Sequence, residues 1–326
     1  MKVLVTGGFG FIGSNLVKKL YEEDYTIDIV DDLSSGNFDS LKEYKIRKSM
    51  AQIMHNLDET GRDFIRFFHC DFAFSGILEK VASGNYDCIF HLAAIPRVSF
   101  SVENPAETTE VNLMNTVKLF DAARIGKTRV IFSSSSSVYG GAEIMPTPES
   151  AIKKPKSPYA WQKSGCENIA KVYGSLYDDS DIVSLRYFNV FGPGQYGDSP
   201  YSTAVSAWCH ATKNGLSCRS DGDGTQSRDM CYVDNVVDAN ILASKVKEKW
   251  RGQCFNIACS DSVTNGEILT YFIDNFGSKV HTAPWRQGDV MHTCADITRA
   301  QEAFGYVPKV RFWEGLEKTV KWWGLK

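Results

Sequence analysis

The chain has no run of eighteen apolar residues, no strong excess of charge of either sign and no paired-cysteine motif. Each absence removes a class of protein. Without a long apolar run there is no candidate transmembrane helix, so a membrane span is not expected. Lysine and arginine number 36 against 39 aspartates and glutamates, a formal net charge of −3. That balance argues against nucleic acid or a membrane surface as the main partner. Met1-Lys2 leads straight into Val3-Leu4-Val5 and a glycine turn, too short an apolar stretch for a signal peptide. The nine cysteines, Cys70, Cys88, Cys166, Cys209, Cys218, Cys231, Cys254, Cys259 and Cys294, are odd in number, scattered and never spaced as CxxC. Several lie in apolar runs, where a thiol behaves as a small hydrophobe. Reduced thiols in a cytoplasmic protein are the expectation, with no metal site. Repeats, heptads and a low-complexity tail are also missing.

What is present is a rhythm. In 326 residues, 43% hydrophobic and 23% charged, short apolar runs alternate with longer helical patterns. Lys2–Thr6, Thr26–Val30, Phe64–Phe68, Tyr86–Leu92, Arg129–Ser133 and Ile182–Tyr187 read as strands, mostly β-branched or aromatic and nearly continuous in hydrophobicity. Such runs suit parallel strands covered on both faces. Phe11–Glu23, Gly76–Ser83, Ala106–Ile125 and Pro158–Tyr177 read as helices. The alternation predicts an α/β fold, a Rossmann-type doubly wound parallel sheet. Lys42–Leu57 reads as a charged amphipathic helix on the surface. Beyond about residue 190 glycine, proline and serine concentrate and the rhythm breaks. Residues 1–190 are therefore expected to form a dinucleotide-binding domain, with later segments contributing. Residues 191–326 are expected to be mainly a smaller, interleaved substrate-binding region.

Gly8-Phe-Gly10-Phe-Ile-Gly13 follows the first strand and opens the first helix. In that context the glycines permit a tight turn and close backbone approach, so a pyrophosphate can rest on the helix N-terminus. Asp31 ends the second strand about twenty residues on. A carboxylate there accepts from ribose hydroxyls and repels a 2′-phosphate, which favours NAD over NADP. A solvated loop acid beside Asp32 is the alternative, although no arginine follows closely to receive a phosphate.

Tyr159-Ala-Trp-Gln-Lys163 begins a helix introduced by Ser157-Pro158. Its i, i+4 spacing places phenol and ammonium one above the other. The ammonium favours the phenolate and makes Tyr159 a general base. An ordinary aromatic–lysine pair is the alternative. Ser133-Ser-Ser-Ser-Ser-Val138-Tyr139-Gly140 follows the fifth strand, where open α/β sheets bind ligands. A hydroxyl there can orient a substrate oxygen and relay its proton, though a serine-rich turn would look the same.

In this order the motifs resemble the extended short-chain dehydrogenase/reductase family, and within it the nucleotide-sugar 4-epimerases acting on UDP-galactose and UDP-N-acetylhexosamines. The likeness runs end to end. Thr6-Gly-Gly-Phe-Gly-Phe-Ile-Gly13 matches the family's opening and implies NAD contacts from Gly7, Gly10, Phe11, Ile12 and Gly13, joined by Asp31 and Asp32. Asp71-Phe72 matches its adenine contact, and His91-Leu92-Ala93-Ala94 its fourth strand end. Tyr187 joins Tyr159 and Lys163 beside the cofactor, and Ser135 falls at the proton-relay hydroxyl. Arg186-Tyr-Phe-Asn-Val-Phe-Gly192, Ser227-Arg-Asp-Met-Cys-Tyr-Val-Asp-Asn235 and Arg286-Gln-Gly-Asp289 match further motifs.

The resemblance thus implies substrate contacts from Ser135, Asn189, Arg228, Arg286, Asp289 and Thr293. Arginine forks suit a diphosphate; structural ion pairs of Arg228 with Asp229 and of Arg286 with Asp289 are the alternative. Similar 4,6-dehydratases and decarboxylases carry carboxylates just after the relay hydroxyl, where Ser136 and Ser137 stand, so the parts for elimination are missing. The implied cycle is inversion at C4 of a nucleotide-diphosphate sugar through a transient 4-keto sugar, by a homodimer in which Ala106–Ile125 and Pro158–Tyr177 pair across a two-fold axis; burial of both within one core would explain their apolar faces equally well.

A small Thr293 leaves room for an N-acetyl group at C2. Cys218-Arg-Ser-Asp221 departs from the family, being polar where relatives have an apolar strand beside the base. A UDP-glucuronate 4-epimerase, with Arg97 or another cation at the carboxylate, stays open. So do a nucleotide-sugar dehydrogenase or 4-keto reductase, and a non-catalytic NAD-sensing protein.

Overall fold

A computed structural model describes residues 1–49, 64–141, 143–197, 203–285 and 290–326. Its strands are β1 (Lys2–Thr6), β2 (Thr26–Asp31), β3 (Ile46–Ser49), β4 (Ile65–His69), β5 (Cys88–His91), β6 (Arg129–Ser135), β7 (Ile182–Tyr187), β8 (Val190–Phe191), β9 (Cys218–Asp221), β10 (Ser227–Asp229), β11 (Cys231–Tyr232), β12 (Cys254–Ile257), β13 (Ser262–Thr264) and β14 (Val280–Ala283). Eight of them form one sheet in the order β12-β7-β6-β5-β1-β2-β4-β3. The neighbours from β3 through β6 run parallel.

From β1 the chain builds outward to β2 and β4, then returns to place β5 on the other side of β1. The carboxyl ends of β1 and β5 therefore flank a topological switch point, the position where open α/β sheets bind ligands. Helices α1 (Phe11–Glu22), α2 (Ser75–Ala82), α3 (Val98–Glu103), α4 (Pro105–Thr109), α5 (Asn115–Ile125) and α6 (Pro158–Leu176) connect or cover these strands. Leu4, Ile89, Val130 and Phe132 of the sheet pack with Ile77 and Val81 of α2, Leu119 and Phe120 of α5, and Cys166 and Ala170 of α6 in one buried cluster.

The chain divides into two compact units. One comprises Met1–Ser134, Ser157–Leu185 and Asn240–Cys254, the other Ser135–Lys156, Arg186–Ala239 and Phe255–Lys326. Ser135–Lys156 and Asn240–Cys254 thus cross the single division drawn near residue 190. The second unit carries the short sheets β9–β14, β10–β13 and β8–β11. Its helices include α7 (Ala204–Lys213), α9 (Asn265–Phe276), α10 (Thr298–Phe304) and α11 (Phe312–Trp322), while α8 (Val233–Lys245) begins in it.

The doubly wound parallel sheet is as expected. Two local readings change. Lys42–Ser49 is not helical: it passes into the edge strand β3, where Ile46 lies opposite Ile65 and the flanking Arg47 and Lys48 are the charges an outermost strand commonly carries. Met50–Leu57 lies outside the described residues. The helix read as Ala106–Ile125 contains a π-helical turn at Glu110–Met114 between α4 and α5.

Candidate active site

The glycine turn is closed by geometry that admits no side chain. Gly7 has φ of 71°, and a Cβ there would lie 2.8 Å from Ala93 N, while one on Gly13 would lie 2.0 Å from Gly7 O. Gly10, the N-cap of α1, supplies no side-chain cap, and the first turn of the helix has no acidic residue. The N–H groups of Phe11, Ile12 and Gly13 are thus left to an external anion, which fits the pyrophosphate of a dinucleotide. Asp31 is 8% exposed. Its Oδ2 accepts from Phe9 N at 2.9 Å and its Oδ1 from Leu33 N at 2.8 Å. Burial raises its pKa while those backbone N–H groups oppose the rise. Asp31 is therefore no solvated loop acid: it ties the glycine turn to the end of β2, and its remaining lone pairs suit ribose hydroxyls.

The neighbouring expected contacts divide. Asp32 shapes its own turn, its Oδ1 accepting from Ser34 N and Oγ at 2.9 and 2.6 Å. Asp71 Oδ1 accepts from Ala73 N at 2.6 Å. The Phe72 ring is buried with its centroid 4.8 Å from that of His91. It is core, so an adenine contact at this pair falls to Asp71 or the backbone. Tyr187 is likewise buried.

His91 organises the crevice in a way the motif did not reveal. Thr116 Oγ1 donates to Asn112 O at 2.8 Å, so its oxygen must accept from His91 Nε2 at 3.0 Å. Nδ1 is then an acceptor, and Thr6 Oγ1 donates to it at 2.7 Å. Thr6 Oγ1 in turn accepts from Leu92 N and Ala93 N at 3.2 and 3.1 Å. The imidazole is neutral; burial, assisted by the Lys163 charge, holds its pKa well down. This rail fixes Leu92-Ala93-Ala94 against Gly7. One residue further, Asn112 grips Ile95 at both backbone polar groups, at 2.7 Å to N and 3.1 Å to O.

At α6, Ser157 caps the helix by accepting from Ala160 N at 3.2 Å, with Pro158 in the first turn. Tyr159 is anchored through its backbone N–H to Ser101 Oγ at 3.1 Å. Lys163 is 2% exposed. Its Nζ donates to Ser133 O at 2.7 Å and stands 5.8 Å from the Tyr159 ring centroid. Burial lowers its pKa to about 8, with the neighbouring Cys166 and Glu167 opposing the fall. An ammonium offers three donors, and among the described residues Ser133 O takes the single hydrogen bond recorded for it. Buried donors left in this state suit a hydrogen-bonding ligand, and the ribose hydroxyls of a dinucleotide would fit them. Glu167, one turn further and 5% exposed, accepts from Ser134 Oγ at 2.6 Å. Sequence reading missed Glu167, although its i, i+4 spacing from Lys163 is visible.

In the second unit, Ser135 Oγ accepts from Ser137 N at 3.2 Å and caps a short 3-10 turn. Asn189 has φ of 33°, and its Nδ2 donates to Asp229 O at 3.1 Å and Thr293 Oγ1 at 3.2 Å. Both N–H groups of that amide thus brace two segments of the second unit. Thr293 Oγ1 also accepts from Asp229 N at 3.1 Å.

Arg228 Nη1 donates to Ser227 O and Met291 O at 3.0 and 3.1 Å. Asp229, fully buried, accepts from Cys259 N and Ala295 N, each at 2.9 Å, and burial raises its pKa to about 6. Arg186 donates to Tyr139 Oη at 2.7 Å, and Tyr139 donates to Asn256 Oδ1 at 2.7 Å, so these motif residues form an internal network. Arg286 and Asp289 lie outside the described residues. The polar strand Cys218–Asp221 alternates: Cys218 and Ser220 face inward, while Arg219 Nε donates to Asp221 Oδ1 at 2.8 Å.

Residues 3–258 match the NAD dependent epimerase/dehydratase family. The chain belongs to this family. A UDP-glucose 4-epimerase of Mycolicibacterium smegmatis is 34% identical over 100% of this chain and 99% of its own. Among solved structures, a UDP-N-acetylglucosamine 4-epimerase from Methanobrevibacter ruminantium M1, in complex with UDP-N-acetylmuramic acid, is similar with TM-score 0.87 and 36% identity, covering 99% of this chain and 98% of that one. The UDP-glucose 4-epimerase of Thermotoga maritima with UDP-glucose gives TM-score 0.87 and 31% identity over 100% and 99% of the two chains.

The epimerase/dehydratase resemblance, the Rossmann-type sheet and the dependence on NAD are therefore borne out. No helix among the described residues is long and apolar enough to cross a membrane. None of their His, Cys, Asp and Glu side chains cluster in a group that could hold a metal ion.

Proposed function

We propose that this epimerase/dehydratase family member inverts the C4 hydroxyl of a hexose carried on a nucleoside diphosphate, with NAD resident throughout the cycle. One observation carries the reading: a fully buried Lys163 ammonium, held by Ser133 O, with Tyr159 one turn before it on α6. When bound, NAD supplies reversible hydride acceptance at C4. The residues do the rest. The uncapped first turn of α1 and Asp31 hold the dinucleotide. Tyr159 takes the O4 proton and later returns it, and the Lys163 charge favours its phenolate. Ser135 keeps a hydroxyl proton to lend to the same oxygen, since its oxygen is the acceptor in its recorded bond.

Ser136 and Ser137 follow Ser135, where similar dehydratases and decarboxylases carry carboxylates, so these two positions supply no second acid–base pair for elimination. Arg228, with Arg286 and Asp289, is assigned to the diphosphate, and Thr293 to the space beside C2. UDP-hexoses or their N-acetyl forms are the substrates, as in the relatives' names. We assign the enzyme to the cytoplasm as a homodimer.

The test is to incubate purified protein with UDP-galactose, UDP-glucose and their N-acetyl counterparts, adding no NAD, and to follow the sugars by proton NMR. Appearance of the C4-inverted partner is expected. Tyr159→Phe should abolish it while NAD stays bound. Absence of conversion by wild-type protein containing NAD would overturn the UDP-hexose assignment.

A further inference from the structure

The side chains of Lys163 and Glu167 sit one turn apart on α6 and grip consecutive residues of β6: Nζ binds Ser133 O at 2.7 Å, and Oε1 accepts from Ser134 Oγ at 2.6 Å. Both are almost wholly buried. A buried ammonium requires a compensating charge as well as hydrogen bonds, because desolvation otherwise drives it to the neutral form. Among the described residues, the following groups meet Lys163. From its own helix come Tyr159, Cys166 and Glu167; from β6 come the Ser133 carbonyl and the Phe132 ring, 4.7 Å from Nζ at its centroid; from β5 comes His91. Thr116 and Asn112 on the neighbouring helical segment carry no charge. His91 is held neutral by the rail described above, and Cys166 is a buried thiol with its pKa pushed up to about 12. The one formal negative charge in this set is Glu167.

We propose that Glu167 is a positioning residue for Lys163: its carboxylate, locked onto Ser134, supplies the counter-charge that keeps the buried ammonium protonated and fixes the strand end that binds it. The proposal rests on the 4-epimerase reading for its effect on turnover, but not for its effect on Lys163 itself. Glu167→Gln keeps the shape and an acceptor for Ser134 Oγ and removes only the charge. Ser134→Ala removes only the clamp. Glu167→Asp restores the charge on a shorter arm.

The direct measurement is a pH titration of the Lys163 Cε signal in holoprotein carrying 13C-labelled lysine, assigned by its loss in Lys163→Arg. Glu167→Gln is expected to lower the midpoint by about one unit, a tenfold loss in the ratio of charged to neutral lysine. Ser134→Ala should move it much less, and Glu167→Asp should bring it back toward wild type. In epimerase assays the alkaline limb of kcat should move down in Glu167→Gln while KM for the nucleotide sugar holds.

An unmoved midpoint in folded Glu167→Gln, or an equal fall in Ser134→Ala, would overturn the proposal. If Glu167→Gln does not fold, Glu167→Asp and Ser134→Ala still decide. Both keep a carboxylate, so a charge role requires the Lys163 midpoint to stay close to wild type in each, and a fall of about one unit in Ser134→Ala overturns it. Should the wild type show no epimerase activity, the lysine titration is unaffected, so the two failures are distinguishable.

Discussion

An ammonium buried as deeply as Lys163 costs stability wherever it is charged. With its pKa lowered to about 8 by burial from an unfolded value near 10.4, the cost is about 3 kcal/mol at neutral pH. The sign follows from proton counting. The folded protein binds this proton more weakly than the unfolded chain, so the penalty is complete below pH 8. It fades as the pH rises toward 10, where the unfolded chain also loses the proton. Replacing Lys163 by methionine removes the penalty but leaves Ser133 O without its donor, a loss of about 1–2 kcal/mol. The expected result for NAD-free Lys163→Met is a melting temperature a few degrees above wild type at pH 7 that meets wild type between about pH 9 and 10 and falls below it at higher pH, where the penalty has faded and the lost donor remains, with activity abolished. A variant less stable at pH 7 would show that the ammonium is a net stabiliser, compensated more fully than its single recorded hydrogen bond suggests.

Among the elements, the turn from β1 into α1 tolerates the least change. A Cβ at Gly13 would fall 2.0 Å from Gly7 O, whereas one at Gly10 would fall 3.2 Å from the same atom. The first contact requires backbone to move and the second only a small adjustment. Helix α1 itself is held by buried Leu16, Val17 and Leu20, away from the turn. Gly13→Ala should therefore fold and yet leave purification without NAD, while Gly10→Ala retains a substantial share. Measuring NAD released on denaturation decides this, and equal retention by the two variants would show that the turn relaxes freely.

This turn, like the Tyr159–Lys163 pair, was legible because its meaning lies in spacing along one element. The elements that escaped are those whose form is set from a distance. The edge strand β3 exists because β4 offers it a partner, and neighbouring charges alone suggested a surface helix. The π turn at Glu110–Met114 carries Asn112, which clasps Ile95 seventeen residues away. His91 could be recognised as part of a strand-end motif, but its link to Thr6 joins residues 85 positions apart, and periodicity does not report such a link. Asn189 and Thr293 likewise meet across 104 positions, in a hydrogen bond that spacing along one element does not report.

For the whole molecule the open question is its state of association. Scattered exposed apolar side chains are ordinary on a monomer; an aligned set is not. On α6, Trp161, Gly165, Asn168, Val172 and Leu176 follow one another at helical spacing, with Trp161 54% and Leu176 68% exposed. Val102 on α3, 61% exposed, and Met114 in the π turn add apolar area from the same unit. Gly165 lets the Leu113 side chain come within 3.2 Å of where a Cβ would stand, so the two segments pack closely, and the exposed apolar set beside them suits an equivalent surface on a second copy. A two-fold pairing makes such a patch self-complementary and closes the assembly at two. Sedimentation equilibrium is expected to give about twice 36.4 kDa, and Trp161→Glu combined with Leu176→Glu should give the single-chain mass with circular dichroism unchanged, because both side chains project from the core. A wild-type protein of single-chain mass would mean that this face serves another purpose. A double variant that remains dimeric would move the interface elsewhere on the surface.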